Sequence, residues 1–143
     1  MMSDREDLVG NLMILMPSMF KKLMKQMPEM DIPKQQFGLL HAVCINEGKT
    51  MGCYSDKMSI PKSNISVLAE KLIKEGYITR ESDLDDRRVI NLKATPKGRE
   101  VFHEHKTRMR LGISERLEQL NEEDVDKLNK LILDMKEIFD KLE

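Results

Sequence analysis

The residues best able to do chemistry lie in one short run, Asp83-Leu84-Asp85-Asp86-Arg87-Arg88. Three aspartates this close suit a divalent cation or acid-base work, yet two arginines directly after them favour charge pairing, because a guanidinium fork holds a carboxylate through two parallel hydrogen bonds. Nothing else in the chain takes up the catalytic reading. There is no glycine-rich phosphate loop, no nucleophile elbow and no set of His, Cys and Glu at metal-ligand spacing. His41 falls on or beside an apolar helix face that His103 and His105 are not spaced to share. An enzyme is not expected, nor a metal site, nor a cofactor.

The elements around this run must position it. Tyr77 to Ser82 and Val89 to Ala94 are β-rich and flank the charged stretch, so they read as a hairpin with a long connecting loop. Upstream, Thr50 offers an N-cap for a short helix with Met51, Tyr54 and Met58 inward. Pro61 suits the first turn of the next helix, in which Ile65, Leu68, Ala69 and Leu72 recur at i, i+3, i+4 and i+7 as a buried stripe. The opposite face carries Lys62, Ser63, Ser66, Val67, Lys71 and Lys74, with Asn64 near the leading end, and Gly76 ends the helix. A short helix, a turn, and a helix with a small, polar, basic outer face make a helix-turn-helix, here followed by a hairpin wing. Thr95-Pro96 then supplies an N-cap and a first helical residue for a long helix ending near Leu117.

Outside this middle region the apolar pattern changes character. Leu8 to Met27 is apolar on too many sides for a one-sided surface helix, with Leu8, Leu12 and Leu15 among its positions. Ser3 or Asp4 can cap it, and Pro17 predicts a kink or a helix start at that point. A second helix follows Pro33, with Phe37, Leu40, Val43 and Cys44 inward, and stops near Gly48. At the other end Asn121 with acidic residues after it reads as a cap, and Leu128, Leu131, Met135, Ile138 and Leu142 form a seam that needs a partner helix. The fold class is therefore mainly α with a small β-hairpin. Residues 33–99 are expected to form the winged lobe, and 4–28 with 100–143 the dimerisation helices.

Composition agrees with such a molecule. The 143 residues are 40% hydrophobic and 34% charged, enough for a real core, and the net charge of -1 hides an uneven distribution. Residues 60–99 hold nine Lys or Arg against six Asp or Glu, while the remainder holds fifteen against nineteen. No apolar run is long enough to span a membrane, and Asp4, Glu6 and Asp7 stand where a signal peptide carries positive charge, so a cytoplasmic protein is expected. Cys44 and Cys53 are expected to be reduced and structural, because nothing near them argues for a low-pKa, accessible thiol.

Over nearly its whole length the chain resembles the MarR family of bacterial transcription regulators. Ile65-Ser66, Leu68, Leu72, Gly76 and Arg80 are similar to that family's recognition helix and the strand after it; Asp83 with Asp85-Asp86-Arg87-Arg88 to its wing; Leu92 with Thr95-Pro96-Lys97-Gly98 to its exit motif. The resemblance implies a homodimer that binds double-stranded DNA at a roughly palindromic site. It further implies a repressor relieved by a small lipophilic or aromatic-acid effector. On this reading Lys62, Ser63, Asn64, Ser66 and Val67 face the major groove, Lys71 and Lys74 take phosphates, and Arg87 and Arg88 enter a narrow minor groove. Asp86 orients a neighbouring arginine by gripping its guanidinium. Val67 departs from the family, many of whose members carry Arg there, and neither cysteine sits near the N-terminus as in its peroxide-sensing branch. Val67 and the slightly acidic total also suit an alternative, a winged-helix module for protein assembly that does not bind DNA.

Overall fold

Residues 3–25 and 29–142 are described by a computed structural model, in which nine elements follow one another: α1(Asp4–Leu23), α2(Lys34–Ile45), β1(Lys49–Thr50), α3(Met51–Met58), α4(Lys62–Lys74), β2(Ile78–Ser82), β3(Ile90–Ala94), α5(Pro96–Leu117) and α6(Glu122–Phe139). The expected architecture, mainly helical with a small antiparallel hairpin, is the observed one. Two compact units divide the chain, one of residues 29–108 and one of residues 3–25 with 109–142, and α5 runs from the first into the second.

In the first unit the helical and strand patterns converge on one core. Leu39, Leu40 and Val43 of α2, Tyr54 of α3, Ile65, Ala69 and Leu72 of α4, Ile78 of β2 and Leu92 of β3 are all buried. Tyr54 is the one large polar-tipped side chain among them, and its hydroxyl is satisfied twice, donating to the Asn46 carbonyl at 2.7 Å and accepting from Lys49 N–H at 3.2 Å. That pair of bonds fixes the chain between α2 and α3. There the chain forms β1, a third strand that the sequence reading missed, with Lys49 opposite Leu92 and Thr50 opposite Asn91. Two residues carry no readable periodicity, so the hairpin of β2 and β3 was visible while its short edge partner was not.

Side-chain caps start four of the six helices. Thr50 accepts from Cys53 N–H at 3.1 Å to start α3, and Asn121 accepts from Asp124 N–H at 2.8 Å to start α6. A full capping box starts α1, with Ser3 and Glu6 bonding each other's backbone N–H at 3.2 and 3.0 Å, and the helix continues through Pro17. The start considered at Pro17 is thereby displaced to Asp4. The helix ends at Leu23; Met27, expected within it, lies outside the described residues. Pro61 is the residue before α4 rather than its first turn, with ψ at 142°, an extended value that a helix cannot use.

A close approach ties α5 to the start of the hairpin. Gly76 turns the chain after α4 at φ 80°, and Thr95 answers across the sheet end: its hydroxyl donates to the Gly76 carbonyl at 2.6 Å and accepts from Gly98 N–H at 3.0 Å, while its own N–H bonds the Tyr77 carbonyl at 3.0 Å. Gly98 is buried against that carbonyl, and a Cβ there would fall 2.0 Å from the Tyr77 oxygen. Lys97 completes the clasp, its ammonium 2.8 Å from the Glu75 carbonyl and 5.0 Å above the Tyr77 ring.

The second unit has the opposite character. Neither α1 nor α6 has a buried residue, and Leu8, Leu15, Leu128, Leu131, Ile138 and Leu142 are exposed, with Leu12 and Met135 half-buried. Arg116 of α5 donates to the Lys22 carbonyl at 3.0 Å. Among the described residues no helix is long and apolar enough to cross a membrane.

The clasp generates a stability prediction. Gly98→Ala must push the Tyr77 backbone away, and overpacking of this kind costs roughly 1 to 3 kcal/mol or more. Thr95→Ala removes a cap and a half-buried bond at about 1 to 2 kcal/mol. Urea unfolding of both variants should show the loss with an unchanged slope; a Gly98→Ala protein as stable as wild type would refute the close approach.

Candidate nucleic-acid interface

The core dictates which face of α4 is turned outward. Ile65, Leu68, Ala69 and Leu72 are all buried, against α2, α3 and β2, as their spacing predicts. Lys62, Ser63, Asn64, Val67, Lys71 and Lys74 are consequently exposed on the other side. Ser66 departs from the expected pattern, being half-buried at the margin of the stripe next to Ile65. Val67 is 54% exposed, an apolar side chain set in a polar, basic surface. Ahead of α4, the turn from α3 passes through Ser59 at φ 53°, and the turn is laced by Ile60 N–H to the Ser55 carbonyl at 3.2 Å and by the Ser55 hydroxyl to the Ile60 carbonyl. A non-glycine residue in the left-handed region costs of order 1 to 2 kcal/mol, which these bonds offset.

The loop between β2 and β3 carries Arg87 and Arg88, both exposed. It is braced from within. Asp83 N–H bonds the Val89 carbonyl at 2.9 Å, Val89 N–H bonds the Asp86 carbonyl at 3.0 Å, and the Asn91 amide donates to the Asp83 carboxylate at 3.2 Å. Asp86 was expected to hold an arginine guanidinium; instead its carboxylate accepts from the backbone N–H of Arg88 at 3.0 Å. The reason is local. An aspartate bonding the backbone two residues ahead closes a tight turn, for which its short side chain is suited. Neither guanidinium enters an ion pair among the described residues. Leu84 stands fully exposed near the tip, a feature that the sequence reading passed over.

Charge pairing in the lobe lies elsewhere. Arg80 of β2 pairs with Glu70 of α4, Lys93 with Glu81 across the hairpin at 2.8 Å, and Arg99 with Glu47. All are exposed or half-exposed pairs, worth at most about 1 kcal/mol each. They leave Lys62, Lys71, Lys74, Arg87 and Arg88 without carboxylate partners among the described residues.

Two hollows open on this lobe. One, of about 370 Å³, lies between the start of α3, the start of α4 and the return of the loop, and is lined by Thr50, Met51, Lys62, Arg88, Val89 and Ile90. The other, of about 70 Å³, is bordered by Phe37, Tyr77, Val101, Glu104, His105 and Arg108. The second adjoins an aromatic cluster not foreseen from the sequence. Phe37 and His41 of α2 meet Phe102 and His105 of α5, with ring centres 4.1 Å apart for Phe37 and His105 and 5.4 Å for His41 and Phe102. Burial, then Arg108, then His41 push the His105 pKa down. The helical spacings of these four residues were legible; that α2 and α5 bring them together was not.

Cys44 and Cys53 are both free and half-buried, and burial pushes the Cys44 thiol up, with Arg99 opposing and Glu47 adding to it. A raised thiol pKa is the reverse of what a reactive sulfur needs.

Comparison with known proteins places this arrangement. A family described as "Winged helix DNA-binding domain" matches residues 36–113. The HTH-type transcriptional regulator SarZ of Staphylococcus saprophyticus is 26% identical over 81 residues, 57% of this chain and 56% of SarZ, so the chain spans little more than half the length of that relative. A MarR-like transcriptional regulator of Thermotoga maritima shares the fold at a TM-score of 0.69 and 23% identity, over 99% of each chain. FabT of Streptococcus pneumoniae, crystallised in complex with DNA, does so at 0.66 and 18% identity, over 98% of this chain and 100% of FabT. With the polar face of α4 and the hairpin loop already in view, the chain belongs to the winged helix DNA-binding domain family, and its fold is that of the MarR-like structures it resembles.

Proposed function

We propose that the chain is a cytoplasmic transcriptional regulator that binds double-stranded DNA as a homodimer. The observation that carries this reading is the pairing, on one lobe, of a helix whose basic face is turned out and a pre-braced loop bearing two arginines without carboxylate partners. Such a helix fits the major groove, about 12 Å wide, and such a loop the narrower minor groove beside it. Asn64 and Ser63 face base edges, Val67 contacts a thymine methyl, and Lys71 and Lys74 take phosphates. Arg87 supplies the guanidinium in the minor groove. FabT, of the same fold, was crystallised with DNA, which supports this use of the lobe.

The exposed apolar faces of α1 and α6 support the dimer. Leu128, Leu131 and Ile138 of α6, with Leu142 just after it, follow at spacings of three, seven and four and remain exposed among the described residues. With Leu8, Leu12 and Leu15 of α1 they give a surface that a second copy covers. Two-fold symmetry then presents two α4 helices to successive major-groove faces, so the operator is roughly palindromic and the outcome at a promoter is repression. Relief comes from a small lipophilic or aromatic-acid effector that binds better when the two helices are wrongly spaced.

Two outcomes follow. Replacing both Arg87 and Arg88 by Ala should weaken binding to a duplex selected from a random pool at least tenfold in a gel-shift titration, with the dimer intact by sedimentation; unchanged affinity contradicts the loop assignment, and no wild-type affinity for any duplex at low salt turns the reading to protein assembly. Leu131→Glu with Ile138→Glu places unpaired charge in the dimer seam at roughly 3 to 5 kcal/mol, more than a hundredfold in the dissociation constant. Sedimentation should then report monomers at concentrations where wild type is dimeric.

A further inference from the structure

The hollow between α4 and the loop returning from the wing has a chemistry of its own. Lys62, the first residue of α4, and Arg88, at the base of the loop, line it together. Both are exposed and neither has a carboxylate partner among the described residues. Met51, Val89 and Ile90 give the same hollow an apolar lining, and the Thr50 hydroxyl beside them accepts from Cys53 N–H and keeps its own proton to donate. Arg87 does not line it. Two cations above an apolar lining match a ligand with negative charge on one side and C–H surface on the other.

Duplex geometry says what that ligand is. When a helix occupies the major groove and a loop from the same lobe occupies the minor groove next to it, one sugar-phosphate strand separates the two grooves and passes between the two elements. The hollow of about 370 Å³ lies between those elements. We propose that this hollow seats the sugar-phosphate strand, with Lys62 and Arg88 as a two-sided phosphate clamp and Met51, Val89 and Ile90 against deoxyribose. The proposal rests on the reading of the lobe as a DNA-binding one and deepens it. It reassigns two residues: Lys62 leaves the base-reading set, and Arg88 separates from Arg87, which alone reaches into the minor groove. Lys62 and Arg88 thus set register and affinity for any sequence, while base choice falls to Ser63, Asn64, Ser66, Val67 and Arg87.

Sequence-independent contacts leave a distinct signature. The test uses Lys62→Gln and Arg88→Gln, with Lys62→Arg and Arg88→Lys as charge-preserving variants. The probes are a duplex recovered by the wild type from a random pool and a scrambled duplex of equal length, titrated by fluorescence anisotropy from 50 to 200 mM salt. Each Gln variant should weaken binding to both duplexes by the same factor, on the order of tenfold, and lower the salt slope by about one for each protomer bound. The charge-preserving variants should recover most of the affinity and slope. Loss confined to the recovered duplex with an unchanged slope would show base reading and overturn the clamp, as would unchanged affinity for both duplexes. Wild-type protein that binds neither duplex removes the clamp along with the DNA-binding reading, whereas wild-type binding with indifferent Gln variants removes the clamp alone.

Discussion

Burial of four side chains on one helix governs everything that the lobe presents to its surroundings. Ile65, Leu68, Ala69 and Leu72 together remove a stripe of α4 from water, each large side chain among them contributing roughly 1.5 to 3 kcal/mol. A helix held along that stripe has no rotational freedom left, because turning it by one position exposes apolar surface and buries lysine. The outward face is therefore a consequence of the inward one. Lys62, Asn64, Val67, Lys71 and Lys74 need no mutual contacts to be positioned; the core places them.

The hairpin loop solves a different problem by different means. A seven-residue surface loop with no core beneath it would ordinarily lose considerable conformational entropy on binding, about 1 to 2 kcal/mol for each residue ordered. Asp83, Asp86 and Asn91 reduce that loss in advance through bonds to backbone and to each other. Using Asp86 on the Arg88 backbone rather than on a guanidinium has an electrostatic consequence too. A guanidinium gripped by a carboxylate meets a phosphate with its charge already compensated, whereas one left open brings its full charge. Backbone bracing thus combines a prepared loop with unspent arginines, and that combination suits a polyanion.

Much of this was legible in the chain itself, for identifiable reasons. The stripe of α4, the caps at Thr50 and Asn121 and the span of α5 from Pro96 to Leu117 emerged because each rests on short-range periodicity or on one capping residue. What escaped rests on long-range approach. The two residues of β1 gain their identity from Leu92 and Asn91, far along the chain. The partner of Asp86 could not be read, because carboxylate to backbone and carboxylate to guanidinium are both available to an aspartate followed by two arginines. Ser66 was placed with the exposed set by helical angle alone, and its position beside Ile65 brings it half under cover. The cluster of Phe37, His41, Phe102 and His105 needed α2 and α5 to be brought together, which no local pattern encodes.

The terminal helices obey a third logic, in which stability and assembly coincide. Helices of 20 and 18 residues draw little of their stability from propensity, since nucleation is costly and most helical stability in proteins comes from packing of an apolar face. Among the described residues neither α1 nor α6 has a buried side chain, and in the proposed dimer a second copy supplies the surface that covers them. In that proposed dimer the folding of the unit is tied to protein concentration, as it is for obligate dimers. The lobe of residues 29–108, by contrast, carries its own core and its own clasp at Gly98. In the proposed dimer, a lobe with its own core joined through α5 to the paired unit makes lobe spacing a property of the pair. The proposed effector would then act by altering how that pair presents two α4 helices, without touching either.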